Sequence, residues 1–195
     1  MLARMAATLF RTGLPLQPKR EQLEGRTIAW IGHVEIRLTR PCVVVETRVK
    51  GIRREARAKG LRRIQDYARG KNRAHAQVAL SGDVVVQEER PALFRVQVCI
   101  PARHQPIAFP APLDPKVRLV ETPSELLAVQ HVPRRLTPKV VACVEAEMRL
   151  CLQRSRWIQD STDRLRLAES ARTLPFRPYE HLALRVQEEI AVRAI

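Results

Sequence analysis

The sequence predicts a single α+β domain made of two ββαββ repeats related by a pseudo-twofold axis. Three observations lead there. The order strand, strand, helix, strand, strand occurs twice, and a proline-rich stretch separates the two runs. Apolar residues make up 45% of the chain and aromatics only 4%, so the core must be built from Val, Leu, Ile and Ala, the composition of a packed sheet. The 195 residues suffice for one domain of about 100 to 200 residues.

In the first repeat VEIRL alternates apolar and polar from Val34, Pro41 interrupts, and CVVVETRV supplies a β-branched second strand. A basic helix is predicted over about 52–69, ended by Gly70 at the position that favours a left-handed backbone. Strands follow over 76–87 and 93–100, the second alternating Phe94, Val96, Val98 and Ile100 with Arg95 and Gln97. Five prolines between 101 and 115 mark the linker. In the second repeat 117–121 and 125–132 read as strands. Thr137 and Pro138 then form a helix start, a cap followed by a first-turn proline. That helix sets Leu136, Val140, Val141, Val144, Met148, Cys151 and Leu152 on one stripe, and 164–169 and 181–187 are weaker strand candidates. Residues 1–30 read as an N-terminal extension, 31–188 as the domain and 189–195 as a tail.

The formal charge is +15. Between Lys50 and Arg73 ten basic residues face only Glu55 and Asp66, so this segment carries +8. Net charge raises encounter with any polyanion without selecting one; the same segment also reads as a solvated basic face. Cys42, Cys99, Cys143 and Cys151 have no CxxC spacing, which argues against a zinc ribbon or disulfide framework and fits buried free thiols in a reducing, cytoplasmic compartment. The first twenty residues hold Arg4, Arg11, Lys19 and Arg20 without an acid, so they read either as an organelle-targeting, partly helical segment or as an ordinary terminus. No apolar run approaches the roughly 18 residues a transmembrane helix needs.

Three segments carry a family resemblance. VEIRLTRPCVVVETRV looks like an opening strand pair with a Y-E-x-R motif before a Val-rich strand. GLRRIQDYARGKN, residues 60–72, matches G-(F/L)-x-x-(L/I)-x-x-Y-x-x-G-x-N on a first helix. VCIP, APLDPKVRL and ARTLPFRPYEHLAL follow in the order of the I-P, P-x-P-x-D-x-x-V and P-x-x-x-x-x-N-E-V-W-L elements. In this order they resemble the SOUL, or heme-binding-protein, family over about residues 30–187. The resemblance implies a two-repeat distorted β-barrel flanked by two helices, a fold shared with GyrI-like ligand-binding domains. It also implies noncovalent binding of heme or another tetrapyrrole in a surface groove, as carrier, buffer or sensor.

Heme asks for an apolar slot, cations for two propionates and, optionally, an axial donor. Leu61, Ile64 and Ala68 fall at spacings of three and four, with Arg57 one turn earlier on the same side; the spacing serves core packing equally well. The resemblance implies that this helix lines the groove and that a basic residue of the C-terminal loop closes over the propionates, where this chain has Arg172 and Arg177. It also places an axial histidine candidate after the Y-E-I-R tetrad, and here that position is Leu38, which cannot ligate iron. Leu80–Val84 and Tyr179–Leu182 depart from the family's M-T-A-P-V and N-E-V-W elements. Some family members bind heme without the histidine, so the expected heme site does not depend on a protein axial ligand.

None of His33, His75, His104, His131 and His181 has a ligand-spaced partner. GxSxG, HExxH and a glycine-rich phosphate loop are all missing, so the sequence predicts a binding protein and not an enzyme. Two alternatives stand beside this: GyrI-like small-molecule binding or hydrolysis centred on Glu180, and nonspecific binding of nucleic acid or an anionic surface through the basic helix.

Overall fold

A computed structural model describes residues 25–81, 83–101, 109–132, 137–170 and 180–188. Ten strands and two helices follow in chain order: β1 (Gly25–Ile31), β2 (Val34–Thr39), β3 (Cys42–Lys50), α1 (Arg53–Ala68), β4 (Asp83–Arg90), β5 (Leu93–Ile100), β6 (Val117–Thr122), β7 (Leu126–Val132), α2 (Pro138–Gln153), β8 (Trp157–Gln159), β9 (Arg166–Ser170) and β10 (Glu180–Glu188). The predicted α+β class and the doubled ββαββ order are both present.

The strands form one antiparallel sheet in the order β1-β2-β7-β10-β9-β4-β5-β3-β6, with β8 paired to β10. Its pseudo-twofold axis falls between β9 and β4, where Val85 pairs with Ala168. On either side the order is the same, except that each repeat gives its first strand to the other: β2 pairs with β7, and β6 pairs with β3. This exchange ties the two repeats into one continuous sheet. The pairing path runs open from β1 to β6, so strand hydrogen bonding does not close the predicted barrel.

Both helices pack on one face of the sheet. Val86 belongs to the core under α1 and Leu167 to the core under α2, yet the two residues are direct cross-strand partners, so their side chains share a face. Under α1 lie Val45, Ile64, Tyr67, Val84 and Val96; under α2 lie Val34, Ile36, Met148, Trp157 and Leu182. The opposite face holds a small apolar cluster, Val85, Leu127, Val129, Ala168 and Ala183. The α2 cap is as expected: the Val140 N–H donates to Thr137 Oγ1 at 3.3 Å, and Pro138 opens the first turn.

Three local expectations change. A strand, β1, precedes the first expected one, because GRTIAWI pairs antiparallel with β2 through the tight turn Gly32–His33; residues 1–24 lie outside the described region. The strand expected from 76 begins at Asp83, since residues 74–81 are tied instead to α1 by Val78 N–H to Ala68 O (2.9 Å) and to β5 by Ser81 N–H to Cys99 O (2.8 Å). The three-residue β8 was not expected from the sequence.

Candidate functional site

The segment 60–72 builds the end of α1 and the arm that leaves it. A Cβ on Gly60 would lie 2.7 Å from the Val96 side chain, so only glycine lets α1 approach β5 this closely. Tyr67 is 1% exposed and donates its hydroxyl to Pro110 O at 3.1 Å. Burial pushes its phenol up, so it remains a protonated donor. Gly70 turns the chain at φ +107°, a left-handed conformation that suits glycine.

Asn72 is fully buried and acts as a three-way clamp. Its amide donates to Tyr67 O at 3.0 Å and to Ala76 O at 2.7 Å, while its carbonyl accepts from Ala76 N–H at 3.1 Å. The arm is also fastened to the linker, by Arg73 N–H to Ala111 O at 2.9 Å and by a bridge between Asn72 and Pro112.

Between this arm and α1 lies a cleft of about 980 Å³. Leu61, Gln65, Ala68 and Arg69 face it from the helix, residues 74 and 76–81 from the arm, and Val98, Phe109 and Pro110 from β5 and the linker. The volume is at the upper end of the roughly 300 to 1,000 Å³ of ordinary ligand pockets. Apolar side chains dominate the wall; two glutamine amides, the Ser81 hydroxyl and one guanidinium supply polar groups.

The predicted site residues divide. Leu61 and Ala68 line the cleft. Ile64 is 0% exposed and sits in the core beneath α1, on the inward side of the helix. Arg57 is directed elsewhere: its Nε lies 2.7 Å from Glu169 Oε2, and Arg53 binds the other oxygen of the same carboxylate at 2.7 Å. Arg172 and Arg177 lie outside the described residues. The sequence reading missed Gln65 and Arg69, although both extend the Leu61 stripe by one and two turns. It also missed the arm, because AQVAL alternates like a strand.

Several charges of the basic segment are paired within the fold. Lys71 Nζ lies 2.9 Å from Asp66 Oδ2, and Arg63 donates to Thr47 Oγ1 and Arg48 O at 3.4 and 3.3 Å. Arg54, Lys59, Arg62, Arg69 and Arg73 are exposed.

Leu38 lies on β2 opposite Leu126, in the half covered by α2, and is not a lining residue of the cleft. Its departure from histidine therefore removes no donor from this cleft. His75 is exposed at φ +50° and is not a lining residue either; His104 is outside the described residues. Glu180 is 6% exposed, flanked in register by Val132 and Glu169, and also stands away from the cleft wall. Among the described residues no group of three or more His, Cys, Asp or Glu is placed to hold a metal ion, and no helix is long and apolar enough to cross a membrane.

Comparison with known proteins agrees with this fold. The sequence model of the SOUL heme-binding protein family matches residues 20–182. A hydrolase from Listeria innocua superposes with a TM-score of 0.57 at 13% identity, covering 82% of this chain and 94% of its own. The EcmrR C-terminal domain superposes with a TM-score of 0.57 at 8% identity, covering 80% and 97%. At such identities the likeness concerns the fold alone. Among curated protein sequences nothing matches significantly.

Proposed function

This chain belongs to the SOUL heme-binding protein family, and from that premise we propose that the cleft beside α1 binds heme or a related tetrapyrrole without covalent attachment. The observation that carries the reading is that the segment bearing the family resemblance, 60–72, is what builds the cleft. Gly60, Tyr67, Gly70 and Asn72 shape it, while Leu61, Ala68, Val98 and Phe109 give it an apolar wall.

The residues fit a macrocycle better than they fit its iron. Apolar walls suit burial of the ring, and Arg69 is placed for a carboxylate at the mouth; Arg172 and Arg177 are the further propionate candidates that the resemblance implies. No described lining residue is a histidine, cysteine, methionine or tyrosine, so contact with the ring faces and charge pairing would hold the ligand. Heme bound in this way would be exchangeable, as a carrier, buffer or sensor requires.

Hemin titration of the purified full chain tests this. The expected result is a saturable Soret change near one equivalent, weakened about tenfold, or 1.4 kcal/mol, by Leu61→Asp and less by Arg69→Glu. Arg57→Glu should leave hemin affinity intact, because its partner is Glu169. Lack of saturation, or equal affinity in Leu61→Asp, would overturn the proposal.

The exposed Arg54, Lys59, Arg62 and Arg73 favour a second reading, loose polyanion binding on the outer side of α1. Such binding should fall steeply with salt, whereas ring burial should not; a gel-shift without a complex at physiological salt excludes it. Hydrolysis centred on Glu180, which the name of the Listeria innocua structure brings to mind, has no support from the cleft's geometry.

A further inference from the structure

His131 on β7 and His181 on β10 are direct cross-strand partners. Directly opposed residues project from the same side of a sheet with Cβ atoms about 4.5 to 5.5 Å apart. Here the imidazole centroids are 5.0 Å apart with their planes inclined at 53°. The rings border a separate pocket of about 240 Å³ on the sheet face away from the helices, lined also by Trp30, His33, Glu35, Arg37 and Val129.

That separation is compatible with shared coordination. A metal–imidazole bond is about 2.0 to 2.1 Å, and the donor nitrogen stands about 1.1 Å from its ring centre along the same line, so each centroid lies about 3.2 Å from the metal. Two such rings have centroids about 4.5 Å apart at a right-angled metal and about 5.2 Å apart at a tetrahedral one. The observed 5.0 Å falls between.

The surroundings agree. His131 is exposed, which gives access, while His181 is 7% exposed and held in the sheet. Glu35 lies on the same face, opposite Val129 and two residues along β7 from His131. Its carboxylate accepts from Thr27 Oγ1 at 2.6 Å and from Arg37 Nε at 3.0 Å, and this ion pair offsets the Arg37 guanidinium that would otherwise oppose a cation.

We propose that His131 and His181 together bind a borderline transition-metal dication, of the Ni²⁺, Cu²⁺ or Zn²⁺ class. Imidazole pairs suit these metals. Since no third described ligand joins them, water or a small anion fills the remaining positions. Open coordination of this kind suits an exchangeable metal and not a structural one.

The test is calorimetric titration of the untagged full chain with Ni²⁺ alone, in a non-coordinating buffer and in a Cys143→Ser background to remove the exposed thiol. One equivalent should bind. His131→Gln should weaken it at least about tenfold, a loss of 1.4 kcal/mol, and His181→Gln likewise, with His75→Gln unchanged. Binding should weaken in acid, because a protonated imidazole has no lone pair for the metal. His131 is exposed, so its variant keeps the fold and an unchanged circular dichroism spectrum verifies this. Absence of binding near one equivalent, or unaltered affinity in His131→Gln, would overturn the proposal while leaving the tetrapyrrole reading untouched.

Discussion

Replacing Asn72 by alanine separates the scaffold of the cleft from its contact surface, because Asn72 does not line the cleft but fastens the arm that does. Three hydrogen bonds are lost. The one to Tyr67 O is wholly buried, but that carbonyl keeps the Gly70 N–H at 3.1 Å, so its loss costs about 0.5 to 1.5 kcal/mol. The two to Ala76 are part-buried, so water can replace them in part, at about 0.5 to 1 kcal/mol each. The expected destabilisation is about 2 kcal/mol, which for a domain of this size lowers Tm by roughly 4 to 8 °C. Urea unfolding measures the first quantity and a thermal scan the second. Hemin affinity, measured well below Tm, should also fall about tenfold, because the arm must then be ordered by the ligand. Asn72→Asp sharpens the case. An ionised carboxylate there faces two carbonyl oxygens, Tyr67 O and Ala76 O, which raises its folded-state pKa above the unfolded value. The penalty is therefore full above the folded pKa and is relieved as pH falls toward the unfolded pKa. A loss below about 1 kcal/mol for Asn72→Ala, or an Asn72→Asp variant that gains nothing on acidification, would refute the clamp.

Other consequences are more local. Gly60→Ala gains about 1 kcal/mol of helix propensity but presses a methyl into Val96, at a cost of about 1 to 3 kcal/mol; Val96→Ala should rescue it, and an additive double-mutant cycle would contradict the close approach. Arg37→Gln should raise the pKa of Glu35. Because the native carboxyl is depressed, its contribution is present above the unfolded pKa and is lost as pH falls through the folded one, so the two proteins should differ most in urea stability near neutrality and converge in acid. Cys42 lies 3.0 Å from Thr122 Oγ1, and its thiol is pulled down to about 6, chiefly by hydrogen bonding to Cys99, with burial opposing and Thr122 assisting. Cys99→Ala should therefore move the pH profile of Cys42 alkylation upward; mass spectrometry with iodoacetamide reads this, and an unmoved profile denies the thiol pair.

How much could be read in advance depended on whether a signal was local. Both helices, the Thr137 cap and eight strands were legible because caps, periodicity and β-branched runs are properties of short segments. Strand exchange between the repeats was not, since nothing within VEIRL names LLAVQHV as its neighbour. The site was legible in the same proportion. Leu61 and Ala68 follow from helical spacing, but the same spacing named Ile64, and only the packing of α1 against β5 turns it inward. Arg57 was assigned by its position on the helix, and its partner Glu169 lies more than a hundred residues away. The arm was misread because alternation marks an extended chain without saying what it pairs with.

The pseudo-twofold symmetry makes the cleft's one-sidedness informative. α1 and α2 occupy equivalent places on the sheet, yet they leave it differently. After α1 the chain turns through Gly70, is clamped by Asn72 and runs out as an arm standing off the helix, with the cleft between them. After α2 the chain returns at once: Ser155 N–H bonds to Leu152 O at 2.9 Å, Trp157 is buried in the core beneath the helix, and β8 pairs with β10. The indole fills on that side the kind of space that the arm leaves open on the other. The one-sided cleft thus follows from what succeeds the helix and not from the helix itself. This is why glycine, tyrosine and asparagine, residues with little to offer a macrocycle directly, can mark the half of the chain that carries the cleft.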